Sequence, residues 1–264
     1  MFHLALLALL VQQAPVKVEV PGTSVAFDVI EVPAGALKPY RIATRETTWA
    51  DFNAFFETKD AAVDATTRPT RAIAYFGQVG VPANFLEPKK PATNLRWHSA
   101  IAYCDWLSKK TGMYFRLPTE PEWEHAAKAG GDGSVVEDQT WHKGNSGERT
   151  HDTGEKKPNA WGLYDMAGNL WEYVLEFHDG GEFDPVVKGG CWSTAAADLK
   201  IARRQKVPLN WFEEDPNRPR SVWWLTNKDQ SQGVRVVCVA DAADKDARAA
   251  AAAKVEVKIL GKAE

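Results

Sequence analysis

The stretch RWHSAIAYCDWLSKKTGMYFRLPTEPEWEHAAKAGG, residues 96–131, reads as a helix, a short connector and a second helix. In its first half Trp97, Ile101, Cys104, Trp106 and Leu107 cluster on one apolar side of a helix. Gly112 then offers the left-handed backbone that ends one. Cys104 lies on the apolar side, so it reads as a packed residue or a partner in a structural disulfide. The second half opens with Pro118 and Thr119 and places Glu120 and Glu122 in the first turn, where a threonine cap and acidic groups suit the exposed N–H groups of a helix start. Arg116 stands ahead of Glu120, Glu122 and Glu124, and a planar guanidinium holds carboxylates in fixed geometry. Ion pairs that tie the helix start to nearby loops are favoured here over acid–base catalysis by those carboxylates.

Working outward, TTWADFNAFFETKD (47–60) predicts another helix, with Trp49, Phe52, Phe55 and Phe56 on its core face and threonines to cap it. VKVEVPGTSVAFDVIEVPAG (16–35) alternates around Pro21 and Gly22, so it reads as a β-hairpin or two short strands. Residues 60–94 carry no sustained period and read as loop. From Gly130 to about Gly233 turns and tryptophans dominate, with strand-like text at VVKGG (186–190) and GVRVVCV (233–239). The Ala-rich, charged DAADKDARAAAAAK (241–254) suits an exposed helix or linker. KVEVKIL (254–260) alternates like a strand, to be read either as a partner for the early VKVEV or as a disordered or partner-binding tail.

With 264 residues, 44% hydrophobic and 25% charged, the chain can bury one sizeable core or two small ones. A formal net charge of −3 gives no electrostatic case for nucleic acid or an anionic membrane. Eleven tryptophans and nineteen glycines point to a loop-rich fold with aromatic anchors. The apolar run Leu4–Val11, with Ala14 as a cleavage point, resembles a signal peptide over residues 1–14. Its alternative is a buried strand or helix, and the run is too short to span a bilayer. A secreted or periplasmic domain over 15–240 and a tail over 241–264 follow. Cys104, Cys191 and Cys238 allow at most one internal disulfide, and no CxxC or HExxH spacing suggests zinc.

In GLYDMAGNLWEYV (162–174), Asp165, Asn169 and Glu172 bring oxygen-bearing side chains together in a turn-forming stretch. A hard cation such as Ca²⁺ takes six to eight oxygens, whereas side-chain to backbone hydrogen bonds tie such a loop without metal. Four phrases in order, residues 96–131, THDTGEKKPNAWGLYDMAGNLWEYV (150–174), VVKGGCWST (186–194) and GVRVV (233–237), resemble the formylglycine-generating enzyme, or sulfatase-modifying factor, family. The resemblance spans roughly residues 28–240.

That resemblance implies an α+β fold, a C-type-lectin-like variant with small antiparallel sheets, few helices and abundant loops. It implies a structural calcium held by Asn169, Glu172 and the carbonyl of Leu170, and more weakly a second site using Asn145 and Asp152. His98, His125, His142 and His151 lack metal-ligand spacing and read as packed or surface residues. The founding enzymes oxidise a cysteine of a sulfatase peptide to formylglycine with O₂ and a copper ion held by two cysteines, because thiolates select Cu(I). Aligned on the GGS phrase, Cys191 takes the serine's position, and Thr194 and Leu199 take those of the copper cysteines. Copper and the oxidase reaction are therefore not expected, and no catalytic residue is assigned. DPNRPRSVWWLT (215–226) resembles a mostly secreted bacterial branch of the family. The expected function is a secreted binding module for a protein, peptide or glycan, with Trp211, Phe212, Arg218 and Arg220 as ligand contacts. The alternative is a divergent oxidase or a substrate-positioning subunit of a modifying enzyme.

Overall fold

The computed structural model describes residues 14–33, 35–57, 85–178, 184–207 and 230–239. Alternation in the first stretch becomes a hairpin: β1 (Val16–Glu19) pairs antiparallel with β2 (Ala26–Glu31), with Val18 opposite Phe27 in the core and Lys17 and Glu19 in solvent. Then follow β3 (Arg41–Ala43), α1 (Trp49–Glu57), α2 (Trp97–Thr111), β4 (Tyr114–Arg116) and α3 (Glu120–Lys128). The second half supplies β5 (Trp171–Phe177), β6 (Pro185–Lys188), β7 (Gln205–Lys206), β8 (Gln232–Gly233) and β9 (Val237–Val239).

These strands form two sheets. The first is antiparallel in the order β1-β2-β3-β9-β4, and the second runs β7-β6-β5-β8 with β5 and β8 parallel. Because side chains alternate along a strand, the first sheet buries both faces. Phe27, Val29, Phe115 and Cys238 meet Phe52, Tyr103 and Leu107 on one side. Ile30, Ile42, Val237 and Val239 meet Trp123, Trp161 and Val174 on the other.

The helix ends follow the sequence signals. Gly112 closes α2 at φ 71° and donates its N–H to the Ser108 carbonyl. Thr119 caps α3 in a reciprocal pair: its Oγ1 accepts from Glu122 N–H, and the Glu122 carboxylate accepts from Thr119 N–H at 2.7 Å. Arg116 selects Glu122 of the three glutamates, with two contacts of 2.7 Å. That guanidinium and the cap N–H hold the Glu122 carboxyl below its usual range against the opposing effect of burial. Glu120 and Glu124 instead hold Lys188 of β6 at 3.0 and 2.8 Å, so the helix start is pinned to the second sheet.

Two differences from the sequence reading bear on the site. WEYVLEF, read as turn-rich text, forms the strand β5, because its inward carboxylate Glu172 has a buried cation to meet. GVRVVCV is not one strand: β8 and β9 lie in different sheets, and Val234–Val236 cross between them, carrying Arg235 into the interior. All three cysteines are free and buried. The tail 241–264, and with it any pairing of KVEVKIL, lies outside the described residues, as do residues 1–13 of the apolar start.

Candidate functional site

The glycine pair after β6 builds the position where the resemblance places chemistry. Gly189 and Gly190 have φ of 92° and 82°, conformations that L side chains rarely adopt. The chain then makes a tight turn in which Thr194 N–H donates to the Cys191 carbonyl at 2.9 Å and Thr194 Oγ1 accepts from Cys191 N–H at 3.0 Å. A Cβ on Gly190 would lie 2.2 Å from Leu199 Cδ2 and 3.5 Å from Thr194 Oγ1. Thr194 and Leu199 thus converge on the same point above Gly190. What converges is a capping hydroxyl and a buried isobutyl group. Neither is a soft ligand, so these residues do not fit Cu(I).

Cys191 is 2% exposed, and its Sγ lies 3.2 Å from Ser193 Oγ and 3.4 Å from Thr194 Oγ1. The thiol is locked into the turn. Next to it, the half-buried Trp192 packs its ring 5.8 Å from Phe85 and donates Nε1 to the Gln230 carbonyl at 3.4 Å. Gln230 has φ 45°, and its Oε1 is buried without a hydrogen-bond partner. Trp211, Phe212, Arg218 and Arg220 lie outside the described residues.

The calcium candidates come close together in chain order but face different partners. Glu172 is 1% exposed and accepts Arg235 Nε at 3.0 Å on each oxygen, Arg235 Nη2 at 2.7 Å on Oε1, and Trp123 Nε1 at 2.7 Å on Oε2. Asn169, at φ 54°, accepts His151 N–H through Oδ1 and donates Nδ2 to Glu46 Oε2 at 2.7 Å. Leu170 N–H donates to the other oxygen of Glu46 at 3.0 Å. Asn145 accepts His142 N–H and donates to Glu137 and to the Thr140 carbonyl. The Asn145, Asn169 and Glu172 side chains are therefore each committed to protein donors, and Glu172 faces a guanidinium, whereas Asp165 Oδ1 has no hydrogen-bond partner.

Glu46 and Arg235 are site residues that the sequence reading passed over. Burial, then the nearby charges of Asp165 and Glu172, push the fully buried Glu46 carboxyl well up from the usual range. Burial likewise lifts Asp165 to about 6, and its Oδ1 has no hydrogen-bond partner. The available signal was a lone arginine inside the apolar run GVRVVCV, which a strand interior accepts only beside an opposite charge. Nothing comparable marked Glu46 in the text RETT.

Comparison with known proteins agrees with this framework. Residues 11–215 match the sulfatase-modifying factor enzyme 1-like domain. The chain belongs to this family. Among its relatives, the formylglycine-generating enzyme of Thermomonospora curvata is 36% identical over 110 residues, 34% of each chain. The inactive C-alpha-formylglycine-generating enzyme 2 of Bos taurus is 31% identical over 144 residues, 47% of this chain and 46% of that protein. The chain thus spans less than half the length of either relative. Of solved structures, Treponema denticola variable protein 1 superposes with a TM-score of 0.59 at 23% identity, covering 86% of this chain and 99% of that one, which bears on the fold alone.

In this sulfatase-modifying-factor-like domain three of the described histidines contact neighbouring side chains or backbone. His142 Nε2 meets Glu137 at 2.8 Å, His151 stacks on Trp141 at 3.6 Å, and His125 sits 2.9 Å from the Pro33 carbonyl beside Trp161. Among the described residues no three His, Cys, Asp or Glu side chains group to hold a metal, and no helix is long and apolar enough to cross a membrane.

Proposed function

We propose that this chain is an exported member of the family that does not carry out formylglycine-generating oxidation and acts by binding a protein, peptide or glycan. The observation that carries the reading is the convergence of Thr194 and Leu199 over Gly190. Where the family's oxidases need two thiolates, this chain has a hydroxyl that caps the turn and an aliphatic group that fills it. The one thiol nearby, Cys191, is buried and hydrogen-bonded, which suits packing rather than nucleophilic or redox work. The bovine relative named as inactive supports the same direction.

Binding is supported by the sequence WFEEDPNRPR (211–220), which sets Trp211 and Phe212 close in the chain to Arg218 and Arg220. Aromatic rings with arginines suit peptide and sugar recognition. Export rests on the apolar run Leu4–Val11 ahead of Ala14.

The test is a Cu(I) titration against a chromophoric Cu(I) chelator, run beside incubation with a sulfatase-type CxPxR peptide and mass spectrometry of the product. The expected result is no stoichiometric copper and an unchanged peptide. One equivalent of tightly held Cu(I) that disappears in Cys191→Ser, or conversion of the peptide cysteine to an aldehyde, overturns the reading.

A further inference from the structure

We propose that residues 254–260, KVEVKIL, add a strand outside β1, in the register that sets Glu256 beside Lys17. The first sheet, in the order β1-β2-β3-β9-β4, has two edges, and they differ. At β4 the edge is closed: Ser108 Oγ of α2 accepts the Phe115 N–H at 2.8 Å and lies 3.3 Å from the Phe115 carbonyl. At β1 the edge is open, since among the described residues no strand lies beyond Val16–Glu19. An unpaired row of N–H and C=O groups is a template for another strand. The side chains are exposed as well. Lys17 and Glu19 form an ion pair in solvent, and Val16 is 46% exposed although it shares a face with the buried Val18.

This edge selects its occupant by charge. Lys17 and Glu19 stand on one face of β1, Val16 and Val18 on the other. Charged residues on an edge discourage pairing with a plain apolar strand, whereas opposite charges side by side across two strands stabilise the pair. The text Lys254-Val255-Glu256-Val257-Lys258 supplies the complement. With Glu256 beside Lys17, Glu19 meets Lys254 if the strands are antiparallel and Lys258 if they are parallel, and Val255 and Val257 fall beside Val16 and Val18 in both cases. A slip by one residue would set valines against the charges. The connection is long enough. From β9 to a strand outside β1 is four strand spacings, roughly 19 Å at about 4.8 Å each, and residues 240–253 cover about 21 Å even as a helix rising about 1.5 Å per residue.

The experiment is amide hydrogen exchange by NMR on the full chain, wild type beside Glu256→Pro/Val257→Pro. Two consecutive prolines remove an N–H that faces β1 whichever way the strand runs, because successive N–H groups point to opposite sides. In the wild type the amides of residues 16–19 that face away from β2, and alternate amides of residues 255–259, are expected to exchange at least about tenfold more slowly than in the proline variant. The amides of Val237–Val239 should not change. Lys17→Glu is expected to reduce the protection by roughly two- to fivefold, and Glu256→Lys added to it should restore the protection. Equal exchange of both segments in wild type and proline variant overturns the proposal. So does protection of residues 16–19 that falls on dilution, which places a second copy of the chain on the edge, and so does a Lys17→Glu loss that Glu256→Lys leaves unrepaired. If the proline variant does not fold, the wild type decides alone: unprotected amides at 255–259 refute, and alternate protected ones support.

Discussion

Replacing Asp165 with asparagine should stabilise the protein in mild alkali, by an amount that shrinks as the pH falls towards about 4. Asp165 sits at φ 56° in the turn before β5 and is 2% exposed. Its Oδ2 accepts Gly154 N–H at 2.8 Å, while Oδ1 is buried alone. Burial is the main influence on the carboxyl and raises it from the ordinary 3.8 to about 6; the charges of Glu172 and Glu155 push the same way, and Gly154 N–H and Arg235 oppose them. A group whose pKa is raised by folding stabilises the fold fully below its unfolded value and loses that contribution as pH rises through the folded value. The window here runs from 3.8 up through about 6. At about 1.4 kcal/mol per pKa unit the gap corresponds to on the order of 3 kcal/mol, shared with the coupled neighbours. Asparagine tolerates the left-handed backbone, keeps an acceptor for Gly154 and carries no charge to bury. Urea unfolding of wild type and Asp165→Asn should therefore show the variant ahead by about 1–3 kcal/mol near pH 8, with most of that advantage gone near pH 3.8. A variant that is less stable near pH 8, or an advantage of equal size at both pH values, refutes the reasoning.

Two further outcomes test the framework around the site. Gly190→Ala adds a Cβ 2.2 Å from Leu199 Cδ2 at a residue with φ 82°; backbone strain of about 1–2 kcal/mol and overpacking of about 1–3 kcal/mol should lower the thermal midpoint by several degrees. Adding Leu199→Ala should fail to make the two losses additive, and full additivity would mean that Leu199 does not pack on Gly190. Thr119→Ala removes the cap that accepts Glu122 N–H and should cost about 1 kcal/mol, read as a drop of roughly 2–4 °C; an unchanged midpoint would show that Arg116 and Glu122 fix the start of α3 unaided.

The parts of the fold legible in the sequence were those whose cause is local. Trp97 through Leu107 repeat at helical spacing, Gly112 can end a helix, and Thr119 with Glu122 can cap one, so these elements follow from a few neighbouring residues. Even the choice among three glutamates was open only because Arg116 reaches Glu122 across six positions, a distance that spacing leaves ambiguous. β5 was hidden for the opposite reason. Its inward face carries Glu172, whose partner Arg235 lies 63 residues away, so no window of local text contains both charges. Glu46 is farther still, 123 residues from Asn169, and neither shows its role alone.

The oxygen-rich text of residues 162–174 raises the expectation of a metal, and local sequence shows acceptors but not which donors arrive from elsewhere. A carboxylate and an amide near a turn are the same text whether a cation or a guanidinium meets them. The deciding residue sits in GVRVVCV, and its burial depends on that run breaking across two sheets. The copper position differs in kind. There Thr194 and Leu199 lie within ten residues of Gly190, the turn brings them together through contacts inside one short segment, and the replacement of thiols by a hydroxyl and methyl groups can be read directly. The residues at these positions can therefore be compared with the family's from sequence alone, because they are close neighbours. The partner of Glu172, by contrast, becomes visible only once the chain is folded and Arg235 is seen beside it.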